Sequence, residues 1–209
     1  FIAVFLLLSF WKNSTENYYS EIMKNDLTEG RMAFEKQLDI MCAGAFSVSN
    51  DSDLKWVYFL DGLKDGDNNI AALIRCNDML RQTFADSEHY QNYSVIMKNE
   101  LIFRKSGMVV GDKFFYDNYC TYQNTDFETW RKQSFEADTW QLFPLEEIDT
   151  GEETLQAMTF SYPVRNYIQQ EQEANAVVQF LLSKENLEQM FGQLMSRQGG
   201  ILIYHAEDS

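Results

Sequence analysis

The chain has 209 residues, 45 % of them hydrophobic and 23 % charged, with a formal net charge of -15. That length supports one good-sized core, or one domain plus an extended helix. The charge excludes nucleic-acid binding by this segment, since phosphates demand a basic patch, and it excludes broad adhesion to anionic lipid.

Low Pro content (2) beside 16 Phe, 11 Tyr and 4 Trp points to an ordered chain rather than a disordered tail. Residues 1–11 form an apolar run about half as long as the roughly 20 residues of a membrane helix. No basic flank or small-residue cleavage site accompanies it. The expectation is the outer end of a transmembrane helix, with Trp11 at the interface where aromatics gather. Residues 12–48 then read as one long helix. Tyr19, Met23 and Leu27 lead into Phe34, Leu38, Met41, Ala45 and Val48, which alternate spacings of four and three. This predicts a stalk that leaves the membrane, forms a homodimer and becomes the spine of a domain. Gly30 is a weak point within it. The turn-rich stretch 47–52 ends the helix.

Asp65, Asp67 and Asn69 invite a calcium-loop reading, but Ile70 stands where Gly is needed and Cys76 where Glu is needed. The better expectation is a loop with Asn69 as an N-cap. A helix follows with Ile70, Leu73, Ile74, Leu80 and Phe84 on one face. Residues 94–103 alternate as a strand, Arg104-Lys-Ser-Gly107 signals a hairpin, and residues 108–110 begin the return strand. Residues 112–154 are irregular and rich in aromatic residues, with a short helix predicted around 126–135. Residues 155–165 read as a strand ending at Tyr162-Pro163. Residues 176–182 form a near-continuous apolar strand, as when both faces are covered. Ser183 caps a helix bearing Leu187, Met190, Phe191, Leu194 and Met195. Gly199-Gly200 stops it, and residues 201–205 start another strand.

Catalytic and metal chemistry find little support. Cys42, Cys76 and Cys120 are odd in number and have no CxxC spacing, so they predict packed thiols, with a single disulfide left open. His89 and His205 have no nucleophile motif beside them, and GxSxG and phosphate-binding glycine patterns are absent. Glu146-Glu147 and Glu152-Glu153 read as solvated faces. No catalytic residue, metal ligand or cofactor is assigned. The aromatics Tyr116, Tyr119, Tyr122, Trp130, Trp140 and Tyr162 are the one candidate constellation for a binding site, against the alternative that most of them are core.

The order of elements resembles the Cache family of extracellular sensor domains. The resemblance is carried by the 97–110 hairpin, Phe160-Ser-Tyr-Pro-Val164, Ala176-Val-Val-Gln-Phe-Leu-Leu-Ser183, Leu187 and Ile201-Leu-Ile-Tyr204. It covers the chain from about residue 12 onward and is most similar to the two-lobed bacterial form. It implies an α+β fold, with a long N-terminal helix packed on a PAS-like antiparallel sheet, ending before a second lobe. The implied domains are residues 1–11 as the end of a transmembrane helix, 12–48 as stalk, and 49–209 as the membrane-distal sensor lobe. The implied function is extracytoplasmic small-molecule sensing for a membrane-bound receptor or transcription regulator, with no enzymatic activity. The alternative is a ligand-free dimerisation or assembly module. The family binds ligands between the sheet and the aromatic insertion, which makes Tyr116, Tyr119, Asp126, Trp130, Tyr162 and Arg165 the expected ligand-binding residues. Amino-acid-binding members carry Arg-x-Trp-Tyr in that insertion. Glu128-Thr-Trp130-Arg131 keeps the Trp but departs at both flanking positions, so a neutral or cationic ligand, a sugar or a purine-like ring fits equally well.

Overall fold

The computed structural model describes residues 2–57, 66–84, 90, 92–165 and 174–191. The side chains of 2–16, 56 and 66–69 lie outside that description. The chain divides into two units, Phe1–Gln37 with Leu187–Ser209, and Leu38–Asn186. The elements in chain order are α1 (Ile2–Asn50), α2 (Ser52–Val57), α3 (Gly66–Thr83), β1 (Asn92–Met97), β2 (Leu101–Arg104) and β3 (Gly107–Val110). There follow α4 (Asp112–Tyr119), β4 (Thr121–Tyr122), α5 (Phe127–Glu136), β5 (Gln141–Asp149), β6 (Thr154–Val164), β7 (Ala176–Ser183) and α6 (Lys184–Phe191). Among the described residues no helix is long and apolar enough to cross a membrane.

In the first unit Tyr19, Met23 and Leu27 are about half exposed, whereas Gly30, Phe34 and Gln37 are buried. The Phe191 ring packs against the bare Cα of Gly30 and lies 6.2 Å from the Phe34 ring. The glycine that looks like a defect in the helical pattern is therefore the position at which a bulky ring approaches the backbone.

The second unit is built on a seven-stranded antiparallel sheet in the order β3-β2-β1-β7-β6-β5-β4. The α+β class and PAS-like sheet expected from the sequence are the fold. Strand β7 runs through the middle with all eight residues buried, because both of its faces are covered. Residues paired directly across strands share a face, so the two faces separate cleanly. One carries Tyr93, Phe160 and Phe180. There Phe84 packs edge-on to Phe180 at 5.2 Å and 4.6 Å from Tyr93, and the Phe84 ring in turn lies against Gly44 of α1. The other face carries Ile96, Ile102, Ala157, Val177 and Leu181, which share a core with Phe115, Tyr116, Trp130 and Phe135 of α4 and α5.

Several expectations need correction. Residues 94–103 are not one strand. The chain reverses at Lys98-Asn99-Glu100, where Glu100 takes a left-handed φ of 66° and its N–H donates to the Met97 carbonyl at 3.0 Å. Apolar residues on both sides of that turn imitate continuous alternation. Helix α1 runs through the predicted turn to Asn50, and α3 begins at Gly66 rather than after Asn69. The buried face of α3 is Ala72, Leu73, Cys76 and Leu80, while Ile70 and Ile74 are 54 % and 56 % exposed. Small residues at 72 and 76 allow close packing, which a count of large apolar residues overlooks. The irregular stretch contains the predicted short helix as α5, and also the unpredicted α4, β4 and β5. The Gly199-Gly200 stop, the 201–205 strand, His89 and His205 lie outside the described residues.

Candidate functional site

Helices α4 and α5 cover one face of the sheet, and the residues that hold them there account for most of the aromatic constellation. Asp126 is the N-cap of α5. Its carboxylate accepts the Thr129 N–H at 2.7 Å, and that bond holds the carboxyl below its usual value. At the other end of the same helix Arg165 donates from Nη2 to the Ala137 carbonyl at 2.6 Å. A cation there suits the unpaired carbonyls at a helix C-terminus. Trp130, on the inner side of α5, is 0 % exposed and sits between Tyr116, Phe127 and Phe115 at centroid distances of 5.4, 6.0 and 6.2 Å. Its indole Nε1 is buried without a partner. Tyr116 is buried, donates its hydroxyl to the Thr125 carbonyl, and has its pKa raised by burial. Tyr162 pairs with Val178 and so lies on the opposite face of the sheet from Trp130. The structure therefore brings Tyr116 and Trp130 together in a packed core. It places Asp126 and Arg165 at the two ends of α5, and it separates Tyr162 from the rest.

Only Tyr119, of the six expected residues, lines the cavity on this face. That cavity is bounded by Asn92, Tyr93, Ser94, Arg104, Phe115, Tyr119, Cys120, Gln179 and Leu181 and offers about 20 Å³ of space. About 10–15 Å³ of such space admits one water, so the cavity is very small. Three of its polar residues, with Ser161 beside them, form a row across the sheet. Arg104 pairs with Ser94, Ser94 with Gln179, and Gln179 with Ser161, on four adjacent strands. All four are at least nine-tenths buried. Gln179 donates from Nε2 to Ser134 Oγ of α5 at 2.9 Å, while its Oε1 and the Ser161 hydroxyl are buried without partners. Such orphaned groups cost roughly 1–3 kcal/mol each, and in native folds they call for a specific explanation.

The Arg104 side chain is 7 % exposed. Its guanidinium carbon stands 3.9 Å from the centre of the Tyr119 ring, and Nη2 donates to Glu152 Oε1 at 3.0 Å. Glu152 sits at the tip of the β5–β6 turn and is itself 66 % exposed. Thr150 closes the turn by accepting the Glu153 N–H on its hydroxyl at 3.2 Å and donating its own N–H to the Glu153 carbonyl at 2.9 Å. Gly151, with φ +75°, lets the turn approach the Asn118 carbonyl at the end of α4, which a Cβ would strike. Glu146 is a further correction. It is 6 % exposed and accepts from the Asn124 N–H at 2.9 Å and the Thr125 hydroxyl at 3.1 Å, so it ties β5 to the loop before α5 rather than facing solvent.

Sequence reasoning missed Arg104, Ser94 and Gln179. Arg104 was absorbed into a hairpin signal. Gln179 did carry a signal, being the one polar residue inside Ala176-Val-Val-Gln-Phe-Leu-Leu182. The thiols are free, and burial pushes those of Cys76 and Cys120 up to about 12. Among the described residues no group of His, Cys, Asp and Glu is arranged to hold a metal ion.

The fold is similar to that of two solved extracytoplasmic sensory domains. The extracellular domain of vpHK1S-Z8, a protein described as a histidine kinase, superposes with a TM-score of 0.56 at 11 % identity, over 86 % of this chain and 62 % of that one. The periplasmic sensory domain of the Campylobacter jejuni chemoreceptor Tlp1 superposes with a TM-score of 0.54 at 10 % identity, over 90 % of this chain and 67 % of that one. The chain thus spans about two-thirds of each of those domains. No family model matches the sequence, and no curated protein matches it.

Proposed function

We propose that the chain is an extracytoplasmic small-molecule-sensing domain of a membrane-bound signalling receptor, a binding module rather than an enzyme. The observation that carries this reading is the row of buried polar groups, led by Arg104 and Gln179, lining a cavity in a fold shared with sensory domains of two receptor types. A folded domain serving only as a spacer gains nothing from orphaned polar groups in its interior. A ligand in the cavity would bias the position of α4 and of the β5–β6 turn, and so select between conformations of the whole protein. The test is a thermal-denaturation screen against organic acids, amino acids, polyamines, nucleobases and sugars. A ligand at 100 times its dissociation constant adds about 2.7 kcal/mol to folded-state stability. A panel that leaves a well-folded protein unmoved would defeat the reading.

A homodimerising role has its own support in α1. Tyr19, Met23 and Leu27, at i, i+4 and i+8, are 50 %, 49 % and 49 % exposed. An apolar stripe at that spacing suits a second copy of the same helix. Sedimentation should show a dimer that Met23→Glu with Leu27→Glu dissociates. A monomeric parent chain would remove this role and leave the sensing role standing.

A further inference from the structure

Resting on the sensing role, we infer that the ligand is a small carboxylate that displaces Glu152 from Arg104. The argument begins from an asymmetry. The Arg104 side chain is 7 % exposed and its carboxylate partner is 66 % exposed. A buried guanidinium left without a counter-charge is strongly unfavourable. A mostly hydrated carboxylate on a turn, in contrast, loses little when it swings away. Whatever displaces Glu152 must therefore bring a negative charge of its own. A neutral sugar or a purine ring leaves Arg104 buried and unpaired, and a polyamine adds a like charge.

Geometry supports the same class. Tyr119 stacks on the guanidinium at 3.9 Å, which fixes its plane for in-plane recognition of a carboxylate. Among the described residues, the one hydrogen bond of this side chain is that to Glu152, which leaves further donors of the planar fork to offer. Gln179, 1 % exposed, lines the same cavity, with one end of its amide on Ser134 and the other unpartnered. It supplies a hydrogen bond to a substituent next to the carboxylate. The cavity's size restricts the ligand to a few heavy atoms. Glu152 then acts as an internal stand-in for the ligand, and its release frees the β5–β6 turn from β2. This assignment differs from the α5 position that the family resemblance suggested. There Glu128 is exposed, and Arg131 already bonds Asp112 at 2.7 Å.

The test is thermal denaturation of the full chain in formate, acetate or glycolate, each against chloride of equal ionic strength. Glycerol, putrescine and adenine serve as neutral and cationic probes. At least one carboxylate should stabilise the chain. Glu152→Gln removes the competing charge and leaves Arg104 without its counter-charge, so it should melt lower than the parent chain without ligand and bind the carboxylate at least roughly two- to fivefold more tightly, the value of an exposed ion pair. Arg104→Gln should bind it roughly 10- to 100-fold more weakly, the value of a hydrogen bond to a charged group. A purely structural Arg104–Glu152 clip would give the same loss of stability with no gain in carboxylate binding. That result, or carboxylates without effect on both the parent chain and Glu152→Gln, would overturn the inference. If the neutral or cationic probes shift the melting while carboxylates do not, the sensing role stands and only the ligand class is wrong. If every probe is silent, both fall.

Discussion

At the scale of single residues, the aromatic side chain that looked most like a ligand platform is a packing residue. Trp130 is fully buried among three rings, so Trp130→Ala opens a large cavity and should destabilise the second unit by about 3–5 kcal/mol. Trp130→Phe should cost much less, because it retains a ring and removes an indole N–H that has no partner. Urea midpoints of the two variants check this. Equal losses would mean that Nε1 is bonded in solution. Asp126 makes a prediction in pH. Its carboxyl lies below the usual value because the ionised form accepts the Thr129 N–H. A lowered folded-state pKa stabilises the fold above the unfolded carboxylate value of about 3.9, and that contribution is lost as pH falls through the folded value. Asp126→Asn keeps a capping oxygen without the titration. The stability difference between parent and variant should therefore narrow below about pH 4. A difference that stays constant to pH 2 would show that the cap bond does not depend on ionisation.

At the scale of elements, the β5–β6 turn backs two residues of the cavity lining, Arg104 and Tyr119. Gly151 combines a positive φ with a Cβ direction that points into the Asn118 carbonyl and the Tyr119 ring. Gly151→Ala should therefore cost more than the roughly 1 kcal/mol of an ordinary strained glycine replacement. It should also raise hydrogen exchange in β5, β6 and the end of α4 together. Exchange changes confined to residues 150–153 would show that the turn is not coupled to α4. The elements differ in how plainly the sequence announces them. Strands β6 and β7 and helices α1, α5 and α6 stand out because their apolar spacing and caps agree with their tertiary roles. Strand β5 does not, because Pro144 sits at a register shift between Phe143 and Glu146, and a Pro inside a strand reads as a break. The β1–β2 reversal is hidden because Glu100, not glycine, holds the positive φ. The candidate site is less legible than the fold. Its row of polar residues comes from strands far apart in sequence, and only the pairing register brings Arg104, Ser94, Gln179 and Ser161 side by side. The aromatic residues lie near the candidate cavity, but most of them are the core that supports it rather than its lining.

At the scale of the whole molecule, the charge imbalance sets how stability responds to salt. Asp and Glu number 32 against 17 Lys and Arg. The compact state gathers this excess into a small volume, so self-repulsion opposes folding more than it opposes the expanded chain. Ion pairs offset little of it. Arg31–Glu35, Arg75–Asp53 and Lys113–Asp117 all join side chains at least 40 % exposed, and exposed pairs are typically worth about 0–1 kcal/mol. Screening should thus remove more repulsion than attraction. The Debye length falls from about 30 Å at 0.01 M salt to about 8 Å at 0.15 M, so the melting temperature should rise over that interval and then level off. The plateau separates screening from preferential exclusion of salt, which keeps growing with concentration. Sodium chloride is the salt to use, since carboxylate and sulfate buffers would confuse this effect with occupation of Arg104. A melting temperature that falls between 0.01 M and 0.15 M would mean that attractive pairs, including Arg104–Glu152, outweigh the net repulsion. The acidic surface would then be a source of cohesion rather than a load on the fold.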